Sequence, residues 1–174
     1  MELVYSPKAG VSEKKYRHYT LNSFGTKEVV ANKKKEFFYI GRDSFIIDNL
    51  VHSFESGYAA ENVEKAISIL IKVIEKRNIY PDVILADASV GVSSLNIFAK
   101  FLSCSKTLAG IPFLIEASNA TPKELSDMRK LTFVDEIICM HHQSDKLLSK
   151  IYFIKKIKDA NNIKTLQEIG RAHV

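Results

Sequence analysis

The fold class is indicated most clearly by residues 81–91, which read Pro81-Asp82-Val83-Ile84-Leu85-Ala86-Asp87-Ala88-Ser89-Val90-Gly91. Four consecutive apolar residues are closed by an aspartate, and small residues follow it. A continuous apolar run of this length is typical of a strand that is buried on both faces, as in a parallel sheet. We therefore predict that Asp87 lies at the carboxyl end of a buried strand, with open space above its carboxylate.

Other apolar runs repeat this character along the chain. They are Phe37–Ile40, Ile111–Ile115, Glu136–Met140 and a weaker strand candidate at Tyr58–Glu61. Segments with apolar residues at helical spacing separate the runs. This alternation predicts an α/β fold with a doubly wound, five-stranded parallel sheet of the flavodoxin-like kind.

Several helix boundaries can be predicted from local signals. We expect Gly57 to end the first helix, Asn62 to cap the second, and Thr121-Pro122-Lys123-Glu124 to open a later one as a capping box. The inner face of the second helix is expected to include Ile71. The last helix has an apolar stripe formed by Leu147, Leu148, Ile151, Ile154 and Ile157. We expect most of this stripe to pack against the core and part of it to face a partner.

A doubly wound sheet forms its binding site at the carboxyl ends of its strands. The residues predicted there are Gly41, Arg42, Asp43, Asp87, Glu116, Ala117, Ser118, Met140, His141 and His142. Glu116 interrupts an apolar run, and its side chain should either accept hydrogen bonds in the cleft or face solvent. Cys139 and His141 would share one side of a strand, but two ligands make a weak metal site.

The order and spacing of these elements resemble the receiver domain of response regulators over about residues 36–158. The 81–91 stretch resembles that family's third strand and phosphoacceptor turn, with Asp87 as the phosphoacceptor equivalent. Gly57-Tyr58-Ala59-Ala60-Glu61-Asn62 resembles its second strand, Ile111–Ile115 its fourth, and Val134–Ile138 the entry to its fifth.

The resemblance implies a phosphorylation site that is mostly missing here. The family takes its metal ligands from an acidic pair after the first strand, and this position reads Gly41-Arg42, with Asp43 one step further. The family's hydroxyl residue aligns with Ala117, next to Ser118. Its lysine aligns with Met140, and the proline after it with His141. A phosphoryl group needs such cations and donors, so the resemblance implies a degenerate receiver.

Two interpretations of this site stay open. In the first, the domain is a regulatory or protein-interaction module without a cofactor, and Arg42 could pair with Asp87 and imitate activation. In the second, Asp87 is a working phosphoacceptor and Mg²⁺ is held by Asp43 as the sole acidic ligand. A third class, a flavodoxin-like ligand binder, predicts a cofactor that copurifies with the chain. Nucleophilic catalysis has no support, because Ser89, Ser93 and Ser94 have no partnered base.

Charge divides the chain into unequal parts. Residues 1–35 hold eight Lys or Arg and three Asp or Glu, whereas residues 36–174 hold seventeen of each. The net charge of +5 therefore belongs to a basic, mostly irregular leader, in which residues 16–21 could form a local strand. We expect no nucleic-acid binding by the neutral domain, and possible contact of the leader with an anionic membrane surface. The two cysteines cannot form a disulfide framework, which favours a location in the cytoplasm. The basic leader could hold the chain at the inner face of the membrane.

The carboxyl-terminal part, residues 159–174, is predicted to be a polar exit segment. Its last six residues, Ile169 to Val174, match one reading frame of a common sequencing adapter, so we expect the natural chain to continue after Glu168. The leader, the degenerate receiver and the exit together resemble the amino-terminal region of certain bacterial membrane sugar transferases of surface-polysaccharide synthesis. That resemblance implies an attached output domain as the partner of residues 36–158; a homodimer is a further expectation.

Overall fold

A five-stranded parallel sheet forms the centre of the computed structural model, which describes residues 35–172 and, for side chains, residues 35–161. The strands are β1 (Glu36–Ile40), β2 (Ser56–Ala60), β3 (Val83–Asp87), β4 (Phe113–Glu116) and β5 (Glu136–Ile138). Their order across the sheet is β2-β1-β3-β4-β5. This confirms the predicted doubly wound fold, since that order is the flavodoxin-like one.

Seven α-helices connect and follow these strands within the described residues. They are α1 (Ser44–Ser53), α2 (Val63–Arg77), α3 (Val92–Leu102), α4 (Lys106–Ala109), α5 (Pro122–Arg129), α6 (Met140–Gln143) and α7 (Leu147–Ala172). Asn62 caps α2 by accepting from the Lys65 N–H, and Thr121 and Glu124 form the capping box of α5, as predicted. Short 3₁₀ turns follow β3 and α6.

The helices cover both faces of the sheet. One face packs Phe38, Ile84 and Ile115 against α2, α3 and α5. The other packs Phe37, Tyr39 and Leu85 against α1 and the start of α7. Because side chains alternate along a strand, Tyr39, Asp87, Glu116 and Ile138 all point to the face that α1 and α7 cover.

Two sequence predictions are wrong, one about the end of α1 and one about the inner face of α2. Helix α1 ends at Ser53, and Gly57 lies inside β2 rather than at the end of the helix. Glycine is needed at this strand position for a steric reason, because a Cβ atom at Gly57 would overlap the ring of Phe37 on the neighbouring strand. Similarly, Ile71 of α2 is exposed, and Ile69 takes its place in the core.

The end of β5 also differs from the prediction. The strand stops at Ile138, and a helical turn begins at Met140. The Met140 N–H donates to the carboxylate of Glu116 instead of to a neighbouring strand, which ends the ladder. Cys139 and His141 are therefore not alternate residues of one strand, and the predicted shared side does not exist.

Helix α7 runs without interruption across the predicted domain boundary at residue 158. The boundaries at residues 35 and 158 stay predictions, and the expected strand at residues 16–21 lies outside the described residues. Within residues 35–172, no helix combines the length and the apolar character needed to cross a membrane.

Candidate functional site

A cleft of about 390 Å³ opens between the carboxyl ends of β1 and β3. This is the point where the strand order reverses, and open α/β sheets bind their ligands there. Asp87 forms its floor, and the loop after β1 and the starts of α2 and α3 form its walls. The lining residues are Gly41, Arg42, Asp43, Glu61, Asn62, Val63, Asp87, Ser89, Val90 and Ser94.

Asp87 is the last residue of β3, as the sequence predicts. Its Oδ2 accepts a hydrogen bond of 3.2 Å from the Tyr39 hydroxyl, and the Ser89 backbone N–H also donates to this carboxylate. Burial, followed by the negative charge of Glu116, raises the pKa of Asp87, although the two hydrogen bonds partly oppose that rise. The carboxylate therefore lies in surroundings that disfavour its own charge.

Tyr39 is a member of this site that the sequence does not reveal. Its side chain is fully buried, and its hydroxyl both donates to Asp87 and accepts the Asp43 backbone N–H at 3.2 Å. Burial and the charge of Asp87 raise the pKa of the phenol far above its ordinary range. Tyr39 therefore acts only as a neutral hydrogen-bond donor to Asp87 at physiological pH.

Glu116 stands directly beside Asp87, because the two residues are register partners on β4 and β3. The sequence left its orientation open, and the structure shows it fully buried. Its carboxylate accepts from the Met140 N–H at 2.9 Å, from the Ser118 N–H and from the Ser118 hydroxyl. A buried, hydrogen-bonded carboxylate thus ties the ends of β4 and β5 together.

Ala117, Ser118 and Met140, which the resemblance also places at the site, have structural contacts in this region. Ala117 is buried, and its N–H donates to Ile138. The Ser118 hydroxyl donates to Glu116 and accepts the His141 N–H, so Glu116 and the start of α6 engage it. Met140 is fully buried as an apolar side chain at the position where the resemblance implies a lysine.

Arg42 does not form the predicted pair with Asp87. Its side chain is 76% exposed, and its guanidinium lies 3.8 Å from Glu61 at the end of β2. The prediction is wrong because β1 lies between β2 and β3, and the residue after Gly41 turns to the β2 side. Of the described side chains that line the cleft, Arg42 is the one cation, and it does not neutralise Asp87.

Asp43 has several partners of its own. It caps α1 by accepting from the Phe45 N–H, and its other oxygen lies 3.3 Å from His141 Nε2 and 3.5 Å from Asn119 Nδ2. The Phe45 ring packs on the His141 ring with centroids 4.5 Å apart. Across residues 35–161, no three His, Cys, Asp or Glu side chains are grouped so that they could hold a metal ion.

Comparison with solved structures identifies this architecture. A two-component response regulator from Legionella pneumophila aligns with a TM-score of 0.50 at 17% identity, over 71% of this chain and 98% of its own. A signal receiver domain of a histidine kinase from Syntrophus aciditrophicus gives 0.50 at 15%, over 70% and 90%. An adenylate cyclase from Rhodopirellula baltica gives 0.50 at 13%, over 80% and 98%. The chain therefore contains a domain with the receiver fold.

These identities are low enough that the likeness concerns the fold alone. No protein-family model matches the chain, and a search among curated proteins also finds no match. The fold alone therefore does not define the function of the cleft, which depends on its own residues.

Proposed function

We propose that the receiver-like domain is a regulatory or protein-interaction module that works without phosphorylation of Asp87. The observation that carries this proposal is the set of neighbours of Asp87. A second buried carboxylate, Glu116, lies on one side, and the neutral hydroxyl of Tyr39 lies on the other. Neither neighbour can neutralise a phosphoryl group.

The negative charge around Asp87 makes its phosphorylation unfavourable. Phosphorylation would place a dianionic group next to Glu116, in surroundings that already raise the pKa of Asp87. Losing one well-placed donor to a developing charge costs about 3–4 kcal/mol, which is a roughly hundred- to thousandfold slower reaction. Here Met140 replaces the expected ammonium, and Gly41 and Arg42 replace the expected acidic pair, so several such losses combine.

The test is incubation of the chain with acetyl phosphate and Mg²⁺, followed by measurement of the intact mass. We expect no phosphoryl adduct on the wild-type chain, whereas a phosphorylatable receiver treated in parallel becomes modified. An adduct that forms on the wild type and disappears in Asp87→Asn would overturn the proposal. It would establish the alternative function, a phosphoacceptor that uses Asp87.

The attached output domain and the sugar transferase activity stay predictions from the sequence. An output domain is supported by α7, which continues past the sheet beyond Lys158 and would give such a domain a helical connection. Recovery of the full-length reading frame tests this part. A frame that continues into a membrane sugar transferase would support it, and one that continues into an unrelated domain would contradict it.

A further inference from the structure

We propose that Tyr39 is a positioning residue whose hydroxyl fills the space between Asp87 and the Asp43 loop, and that Gly41 is required to admit it. The inference rests on the proposed function, because it gives a physical reason why the cleft does not operate as a cation-dependent phosphorylation site. Its test, however, measures stability and hydrogen bonding and involves no phosphorylation.

The position of the hydroxyl is fixed by two hydrogen bonds. It donates to Asp87 Oδ2 and accepts the Asp43 N–H, both at 3.2 Å, so it lies between the end of β3 and the loop after β1. A cation bound between Asp87 Oδ2 and the Asp43 backbone would compete with the hydroxyl for this position. The tyrosine therefore supplies a link between β3 and the β1–α1 loop that needs no ligand.

The ring of Tyr39 cannot turn away from this position at low cost. It is fully buried among core residues that include Phe37, Ile46 and Leu85. Protein interiors are close-packed, so displacement of a buried ring leaves a cavity or forces its neighbours to shift. Core packing thus fixes the ring of Tyr39, and the hydrogen bonds to Asp87 and Asp43 fix its hydroxyl.

Gly41 makes this arrangement possible. A Cβ atom at this position would lie 2.5 Å from the Tyr39 hydroxyl oxygen, 2.7 Å from Cζ of the ring and 3.0 Å from the Asp87 Cβ. These distances are well inside van der Waals contact, so a side chain at position 41 and the tyrosine at position 39 exclude one another. Any carboxylate at position 41 is excluded for the same reason.

The first experiment measures this coupling by thermal unfolding of four chains: wild type, Gly41→Ala, Tyr39→Val and the double variant. We expect Gly41→Ala to lower Tm in the wild-type background and to lower it by much less when Tyr39→Val has removed the ring, since only the positive φ of Gly41 and the Asp87 Cβ then oppose the new methyl group. Tyr39→Phe is the matched control, because it retains the ring, and Gly41→Ala should remain destabilising beside it. Additive effects of the two substitutions would overturn the proposal.

The second experiment tests the hydroxyl in Tyr39→Phe, which keeps the core filled. Without the hydroxyl, the Asp43 amide loses its acceptor, and we expect its hydrogen exchange to become about tenfold faster. The NMR-titrated pKa of the Asp87 carboxyl should rise, because one hydrogen bond to its charged form is gone. A purely structural ring would leave both quantities unchanged, and that result would overturn the positioning role.

The two proposals fail separately. Phosphorylation of the wild-type chain at Asp87 would contradict the proposed function while the coupling between positions 39 and 41 could persist. Additive stability effects would remove the role of Tyr39 and leave the phosphorylation result untouched.

Discussion

At the scale of single residues, the site contains two neighbouring carboxylates, and no cationic side chain among the described residues lies beside them to neutralise their charge. Asp87 and Glu116 are neighbouring carboxylates on one face of the sheet, but their surroundings differ. Glu116 accepts backbone and hydroxyl donors from two loops, whereas Asp87 accepts from Tyr39 and Ser89 and faces the cleft. The two carboxylates therefore have separate roles, one structural and one at the cleft.

The raised pKa of Asp87 leads to a prediction about pH. A carboxyl whose pKa is higher in the folded state binds more protons there than in the unfolded state. The contribution of Asp87 to the free energy of unfolding should thus fall as pH rises from about 4 through the folded pKa. Asp87→Asn keeps an acceptor for Tyr39 and removes the charge, so we expect its Tm at pH 7 to exceed that of the wild type by a few degrees.

This prediction is checked by thermal unfolding of both chains between pH 3 and pH 8. The gain from Asp87→Asn should vanish at the acidic end, where the wild-type carboxyl is protonated. A variant that is less stable than the wild type at pH 7 would show that the charge of Asp87 stabilises the fold.

At the scale of secondary-structure elements, one lysine joins α7 to the far end of the sheet. The Lys158 ammonium lies 2.9 Å from Asp135 Oδ2 and donates to the carbonyl oxygens of Ala109 and Ile111 at 3.0 and 3.1 Å. Asp135 in turn accepts the Phe113 N–H at the start of β4. The lysine thus attaches the helix to both α4 and β4 where it leaves the sheet.

We expect Lys158→Met to lower the free energy of unfolding by about 1–3 kcal/mol, because Asp135 and two carbonyls lose a charged donor. Lys156→Met is the control, since that ammonium contacts only the exposed Tyr152 ring among the described contacts. Chemical denaturation gives the energies, and hydrogen exchange of α7 amides should become faster in Lys158→Met. Equal effects of the two substitutions would contradict the role of Lys158.

The elements themselves were largely predictable from the sequence, and their exceptions are instructive. Continuous apolar runs identified four strands, β2 was only a weaker candidate at Tyr58–Glu61, and cap residues such as Asn62 and Thr121 identified helix starts. Helices α4 and α6 were missed because they have four residues each, too few for a periodic pattern. The start of α6 depends on Glu116, which is distant in sequence, so no local signal could reveal it.

The same limit applies to the site. The strand-end rule predicted that Asp87, Asp43 and Glu116 lie at the carboxyl edge of the sheet, because it needs only the strand pattern. Asp87 and Asp43 line the cleft there, whereas Glu116 is buried beside Asp87. The rule could not place Tyr39, which reads as one more apolar residue until β1 and β3 are known to be neighbours. The pairing of Arg42 was predicted wrongly for a related reason, because Glu61 is close only once β2 lies beside β1.

At the scale of the whole molecule, the first half of α7 exposes several large apolar side chains. Its inner residues Leu147 and Ile151 are buried against the sheet, whereas Tyr152, Phe153 and Ile157 are 59%, 62% and 60% exposed. Ile157 and Leu148 belong to the stripe that the sequence predicted to face a partner in part, whereas Tyr152 and Phe153 lie outside that stripe. Exposed apolar side chains grouped in this way are typical of protein-binding surfaces.

We expect the chain to self-associate through this face of α7, as the sequence analysis anticipates. Phe153→Glu should then shift the mass measured by sedimentation equilibrium to that of the monomer, without lowering Tm. Ile97→Glu on α3 is the matched control, because Ile97 is also exposed but lies on another helix. A wild-type chain that stays monomeric at all concentrations would contradict the homodimer.

The proposal that the cleft does not accept a phosphoryl group on Asp87 is tested most directly by amide NMR spectra recorded while Mg²⁺ and beryllofluoride are added to the wild-type chain. Beryllofluoride imitates a phosphoryl group on a carboxylate, and binding would require a cation beside Asp87. We predict no saturable shifts at Asp87, Ser89 or Met140. Saturable shifts at these amides that disappear in Asp87→Asn would show that the cleft accepts a phosphoryl group after all.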